Sequence, residues 1–172
     1  IRKWLQAFIS NAEYFMAVLP PILDFEASSL SDTSYPISAG LVVSEHIYYW
    51  IIKPEPDWID WSLQSQAIHG LKRSFIEEHG IPAYQVYAEM IDKLVCYQVI
   101  YSDAPEWESL WLRRLGVFNL RIADIGELIG SKRREGFSGE LAKTFSSHKL
   151  MQHRADHDAL AIALTVQKIM AK

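Results

Sequence analysis

The order of β-rich and helical segments is the feature of this sequence that most limits its fold. Short apolar runs rich in Val, Ile, Leu and aromatic residues predict strands. Three of them come first, at residues 19–26, 36–44 and 47–53. A turn at Ser44 and Glu45 joins the last two as a hairpin, and Pro54 ends the third. Two further strands are predicted at residues 96–101 and 120–123.

Helical patterns fill the chain after the third strand. A helix that opens at Pro82 places Val86 and Met90 on one stripe, and Pro105 suits the first turn of another. We predict the remaining helices at residues 62–68, 72–78, 124–129 and 154–170, and a basic glycine-containing loop at residues 130–139.

The predicted order is three strands followed by alternating helices and strands. Such an order implies a mixed sheet flanked by helices, and five strands in this sequence fit a ribonuclease-H-like α/β fold. A doubly wound dinucleotide-binding fold is disfavoured because no glycine-rich turn follows the first strand.

Composition restricts the functional class. The chain has 172 residues with one cysteine, so we expect one domain over residues 19–172, no disulfide framework and a cytoplasmic location. Residues 1–18 are expected to be an N-terminal extension of uncertain origin. No apolar run is long enough to span a membrane, and the net charge of −4 argues against a general affinity for long nucleic acid.

Two acids close the first predicted strand. Asp24 and Glu26 are two residues apart, so their side chains point to the same face. Paired carboxylates repel unless a cation lies between them, and oxygen ligands suit Mg²⁺ or Mn²⁺. A polar strand end that binds nothing is the simpler interpretation of this pair alone.

A second acidic motif opens the last predicted helix. His153 precedes Asp158 by five residues, and the small residues Ala155 and Ala159 allow the helix to approach the sheet closely. Asp158 could then reach a cation held by the first strand. An acid favoured by the helix dipole is the alternative.

Together the two motifs resemble the DEDD family of 3′→5′ exonucleases. The resemblance is to the branch with a catalytic histidine, which includes ribonuclease T, oligoribonuclease and the proofreading subunit of bacterial DNA polymerase III. Asp24-Phe25-Glu26 is similar to its first motif, and its last motif, His-x-Ala-x-x-Asp-Ala, is matched in full from His153 to Ala159. The segment Ile68-His69-Gly70-Leu71 is also typical of such enzymes.

The resemblance implies hydrolysis of phosphodiester bonds with two divalent cations, Mg²⁺ or Mn²⁺. Asp24, Glu26 and Asp158 would hold the first cation, and His153 would be the general base. The family also uses an aspartate early in the helix after the fourth strand. Here Glu108 occupies that frame, and Asp103, just after the strand, is the other candidate for the second cation.

Substrate contacts are implied for three parts of the chain. Leu71 or His69 would support the terminal base, Phe25 would also bind the substrate, and Arg133 and Arg134 in the basic loop would approach a phosphate. The basic loop could equally be a solvated surface.

The favoured function is therefore a 3′→5′ exonuclease that acts on short or single-stranded RNA or DNA and releases nucleoside 5′-monophosphates. A weak or inactive exonuclease-fold protein that binds nucleic acid or protein is the alternative, since Glu108 departs from the family pattern. A hydrolase of small phosphorylated molecules is a third possibility. The resemblance also allows a homodimer, since many members of the family form dimers.

Overall fold

The computed structural model describes residues 19–171, so the extension expected at residues 1–18 lies outside the described residues. One mixed sheet has the strand order β4-β3-β2-β1-β5-β6. Its strands are β1 (Ile22–Ala27), β2 (Pro36–Val43), β3 (His46–Lys53), β4 (Ile81–Pro82), β5 (Val99–Ser102) and β6 (Arg121–Asp124). The first three are antiparallel to one another, whereas β5 pairs parallel with both β1 and β6.

The predicted ribonuclease-H-like α/β fold is confirmed, with six strands instead of five. The extra strand, β4, pairs parallel with the end of β3 through two residues only. Two residues carry no usable periodicity, so the sequence could not reveal this strand. The hairpin turn is where it was expected, with Ser44 and Glu45 at φ values of 48° and 66°.

Eight helices are present in the described part of the chain. They are α1 (Leu63–His69), α2 (Arg73–His79), α3 (Ala83–Leu94), α4 (Pro105–Arg114), α5 (Gly126–Ile129), α6 (Ser131–Arg134), α7 (Phe137–His148) and α8 (Ala155–Met170). None of the helices in residues 19–171 is long and apolar enough to cross a membrane.

The prediction of a basic loop at residues 130–139 is wrong. Ser131–Arg134 forms the short helix α6, and Phe137 opens the three-turn helix α7. Phe137 is 1% exposed and belongs to the core that lies under α8. The glycines on either side of Phe137 favour a loop, but burial of its ring in the core outweighs that local preference.

Helices cover both faces of the sheet. On one face Leu23 and Phe25 of β1 belong to a core shared with α3 and α4. On the other face Ile22 of β1 packs with α8, α5 and Phe137. Because side chains alternate along a strand, Asp24 and Glu26 face α8.

Helix α8 lies unusually close to the sheet. Ala155, Ala159 and Ala163 are fully buried along one side of this helix. Beneath its start lies Gly40 of β2, where a Cβ atom would be only 2.0 Å from the carbonyl oxygen of Ala155. The expected close approach of this helix is therefore present, and Gly40 makes it possible.

Candidate metal centre

The first two acids of the site lie at the carboxyl end of β1. Asp24 and Glu26 are both partly buried, and each is flanked in sequence by buried apolar residues. The core side chains Leu23 and Phe25 anchor the opposite face of the strand, so the carboxylates are held towards α8.

The third acid comes from the first turn of α8. The Asp158 carboxylate accepts the backbone N–H of Arg154 at 2.7 Å, which orders the residues before the helix. His153 immediately precedes Arg154 in the chain. Its φ angle is 60°, a left-handed conformation that few non-glycine residues adopt. The imidazole is exposed beside the acids.

Asp24, Glu26 and Asp158 converge, since one carboxylate oxygen from each lies within 4.8 Å of the others. Burial, and then the charge of Asp158, raise the pKa of Glu26 from 4.5 to about 8. Burial also raises the pKa of Asp158 to about 7, and that of Asp24 lies well above its usual range. In the absence of a cation, protons relieve the repulsion within this cluster.

Both candidates for a fourth acid are at the same site. Glu108, in the first turn of α4, is 2% exposed, and Asp103 follows β5. Burial, together with the charges of Asp103 and Glu26, places the pKa of Glu108 well above its usual range. Glu108 Oε2 is buried and has no hydrogen-bond partner among the described residues.

These acids fit a hard divalent cation. The three convergent carboxylates supply oxygen ligands that lie close to one another. The Oε2 atom of Glu108, which has no partner in the described structure, is a further oxygen ligand that a cation or its bound water would satisfy. A positive ion here would also offset the repulsion between the carboxylates, which adds to burial in raising the pKa values of Asp24, Glu26, Glu108 and Asp158.

A cavity of about 460 Å³ opens above the acids, and we call it the acidic pocket. Five carboxylates line it, those of Asp24, Glu26, Asp103, Glu108 and Asp158, together with the imidazole of His153. The rest of the lining is mostly apolar and includes Leu30, Trp107, Trp111, Leu141, Phe145 and Ile162. Leu141 and Phe145 come from α7, the helix that the sequence did not reveal.

A smaller hollow of about 190 Å³ adjoins the acidic pocket, and we call it the side pocket. Phe25, Leu30, Ile68, His69 and His153 are among its lining residues. His69 Nδ1 accepts the N–H of Leu71 at 3.1 Å, and burial lowers the pKa of His69 to about 4. The ring is therefore neutral with its proton on Nε2, an atom that is buried and unpartnered within residues 19–171.

Other expected substrate residues lie elsewhere. Leu71 packs against the core, and it does not line either pocket. Arg134 donates to the Asp124 carboxylate and, at 2.9 Å, to the carbonyl oxygen of Asp103. Arg133 donates to the carbonyl oxygen of Ile169 at 3.2 Å. These hydrogen bonds tie both arginines to the protein itself.

Sequence reasoning also left His157 without a role. Its Nδ1 accepts the N–H of Met151 at 2.9 Å, which ties the segment that carries His153 back to α8. The spacing of six residues between the two has no sequence signature, so only the structure shows this contact.

Comparison with known proteins identifies the fold. No family model matches the sequence, and no curated protein matches it either. Solved structures do match, among them a 3′-exonuclease studied for 3′-end-specific recognition of the histone mRNA stem-loop. That match has a TM-score of 0.66 at 14% identity and covers 98% of this chain and 72% of the other. The chain has the fold of the 3′-exonucleases.

Two further matches are bacterial. Exonuclease I from Methylocaldum szegediense matches with a TM-score of 0.63 at 14% identity, over 86% of this chain and 39% of that enzyme. Exonuclease I from E. coli, in complex with a dA16 oligonucleotide, gives 0.64 at 12% identity, over 90% and 41%. The chain thus spans about two fifths of the length of these two enzymes, and at such identities the likeness concerns the fold.

Proposed function

We propose that this protein is a divalent-cation-dependent 3′→5′ exonuclease that acts on single-stranded or short RNA or DNA and releases nucleoside 5′-monophosphates. The convergence of Asp24, Glu26 and Asp158 in one pocket is the observation that carries this proposal. The fold shared with 3′-exonucleases supports it.

The carboxylates would hold two Mg²⁺ or Mn²⁺ ions. Asp24, Glu26 and Asp158 would bind one ion, and Asp24 with Glu108 or Asp103 would bind the other. Such ions, when bound, polarise the phosphate and stabilise charge on the attacking and leaving oxygens. Both candidates for the last ligand line the pocket, and Glu108 is favoured because its Oε2 is buried without a partner in the described structure.

His153 would be the general base. Its exposed imidazole lines both pockets, so it can accept a proton from a water molecule that attacks a phosphate above the acids. The left-handed backbone of His153 is not helical, and this residue precedes α8, which begins at Ala155.

The side pocket would receive the terminal nucleotide. Phe25 and Ile68 offer apolar surface to a base, and the Nε2–H of His69 offers a hydrogen-bond donor. The phosphate roles expected for Arg133 and Arg134 are not part of the proposal, because both side chains already bind protein oxygens.

The test is incubation of 5′-labelled RNA and DNA oligomers with Mn²⁺ or Mg²⁺. We expect a ladder that shortens from the 3′ end and requires the cation. Asp24→Asn and His153→Ala should reduce the rate at least 100-fold. Asp92→Asn and His79→Ala, at exposed positions outside both pockets, are the matched controls and should retain it.

Two results would contradict the proposal. Tight oligomer binding with no cleavage in either metal would indicate a binding protein that has kept the fold. Cleavage that survives Asp24→Asn unchanged would show that the acidic pocket is not the catalytic centre.

A further inference from the structure

Three residues form a row across the sheet beneath the start of α8. Asp24 of β1 pairs with Gly40 of β2, and Gly40 pairs with Tyr49 of β3. Residues directly opposite each other on antiparallel strands share a face, so all three face α8. The row runs from an acid of the site, across a residue with no side chain, to an aromatic ring.

The first turn of α8 rests on the middle of this row. A Cβ atom at Gly40 would lie 2.0 Å from the carbonyl oxygen of Ala155 and 2.5 Å from the backbone nitrogen of Asp156. No real side chain tolerates such distances, so the helix backbone is in contact with the strand here. The position of α8 relative to Asp24 therefore depends on the contacts that fix the first turn of this helix.

Arg154 holds the helix at the far end of the row. Its guanidinium lies 5.4 Å from the centre of the Tyr49 ring. The same group binds Asp156 in a bidentate manner, with Nε to Oδ1 at 2.8 Å and Nη2 to Oδ2 at 3.1 Å. Asp156 is 4% exposed, so this ion pair is partly withdrawn from solvent and depends on correct geometry.

The backbone of Arg154 connects this clamp to the acidic pocket. Its N–H donates to Asp158 Oδ2 at 2.7 Å, and its carbonyl oxygen accepts the N–H of Asp158 at 2.9 Å. His153 is the residue immediately before it. A displacement of Arg154 would therefore move both the carboxylate and the imidazole.

We propose that Arg154, held between Tyr49 and Asp156, is a positioning residue that sets Asp158 and His153 over the acids of β1, and that it does not bind the substrate phosphate. Its donors Nε and Nη2 and one face of its guanidinium are occupied by protein groups, and Asp156 neutralises its charge. The inference rests on the proposed function in one respect, namely that Asp24, Glu26 and Asp158 bind a divalent cation.

The experiment measures Mn²⁺ binding by calorimetry and by electron paramagnetic resonance, and separately kcat and KM on an oligonucleotide. Arg154→Lys keeps the charge but loses the bidentate geometry. Asp156→Asn keeps the shape of the partner but loses its charge. Each should weaken Mn²⁺ binding by about tenfold and lower kcat, while KM for the oligonucleotide changes less than about twofold.

A double-mutant cycle strengthens the test. Because both residues act through one contact, combining the two substitutions should cost no more than the worse single variant. Arg121→Lys and Glu127→Gln alter a second bidentate ion pair, between an arginine and a glutamate, with contacts at 2.9 and 3.0 Å. Neither of these residues lines the acidic pocket or the side pocket. This control pair should leave Mn²⁺ binding unchanged. Circular dichroism verifies that every variant is folded.

Two outcomes would overturn the inference. In one, Arg154→Lys and Asp156→Asn bind Mn²⁺ as the parent protein does. In the other, substitution at Arg154 raises KM for the oligonucleotide alone, which identifies a phosphate ligand. If the parent protein binds Mn²⁺ without degrading oligonucleotides, the proposed function fails, yet the Mn²⁺ comparison still decides the positioning role.

Discussion

Replacing Glu26 by glutamine should stabilise the metal-free protein, and increasingly so as the pH rises. The folded carboxyl has a pKa of about 8 against 4.5 in an ordinary environment, so the native state binds its proton more tightly than the unfolded state. Stability must then fall as the pH rises from about 4.5 to about 8, and level off above. Glu26→Gln removes this loss, because an amide does not ionise.

The size of the effect follows from the same two values. The variant should exceed the parent protein in free energy of unfolding by about 1 kcal/mol at pH 5 and roughly 4 kcal/mol at pH 8. The introduced amide can also donate to Asp158, which in the parent protein shares a hydrogen bond with Glu26.

Urea unfolding in EDTA, followed by tryptophan fluorescence at both pH values, measures this difference. Glu106→Gln is the matched control, because Glu106 is exposed on the first turn of α4. It should stay within about 0.5 kcal/mol of the parent at either pH. A stabilisation by Glu26→Gln that is the same at pH 5 and pH 8 would refute the account of the acidic cluster.

Two other predictions concern the same region. Mn²⁺ at about 100 times its Kd at pH 8 should raise the free energy of unfolding by about 2.7 kcal/mol. The same concentration should stabilise the protein much less at pH 5, where protons on the carboxyls compete with the cation. Thermal unfolding with and without Mn²⁺ measures the stabilisation, and Asp158→Asn should diminish it. Arg134→Ala should cost roughly 1 to 3 kcal/mol, because it removes the hydrogen bonds to Asp124 and to the Asp103 carbonyl, whereas Lys132→Ala on the same short helix should be neutral. Urea unfolding measures both variants. If the free energy of unfolding falls equally in the two, the contacts of Arg134 contribute nothing to stability.

The sheet could be predicted because its strands have strong local signals. The segments around β1, β2 and β3 are apolar and bounded by turn residues, and the hairpin turn at Ser44 and Glu45 follows from their spacing. Helix α3 could be predicted for the same reason, since Val86, Met90 and Leu94 recur every four residues and are all buried.

Helix α7 could not be predicted, although Leu141 and Phe145 on this helix line the acidic pocket. Its polar sequence contains serine, glycine and threonine, which are weak helix formers, and it contributes few core residues. It is stabilised by contacts with α8, among them the hydrogen bond at 2.8 Å between Thr165 and Thr144. These partners are 21 residues apart, so no local pattern reports them.

The sequence alone determined which acids are available and which face of each element carries them. The two-residue period of β1 puts Asp24 and Glu26 on one side, and the small residues of α8 let Asp158 approach. Only the tertiary structure decided the distances and the pKa values. Those depend on where the backbone of α8 rests on Gly40, how Arg154 is clamped, and how deeply Glu108 is buried. The physical reason is that side-chain direction follows from local geometry, whereas the energy of a charge depends on every group that packs around it.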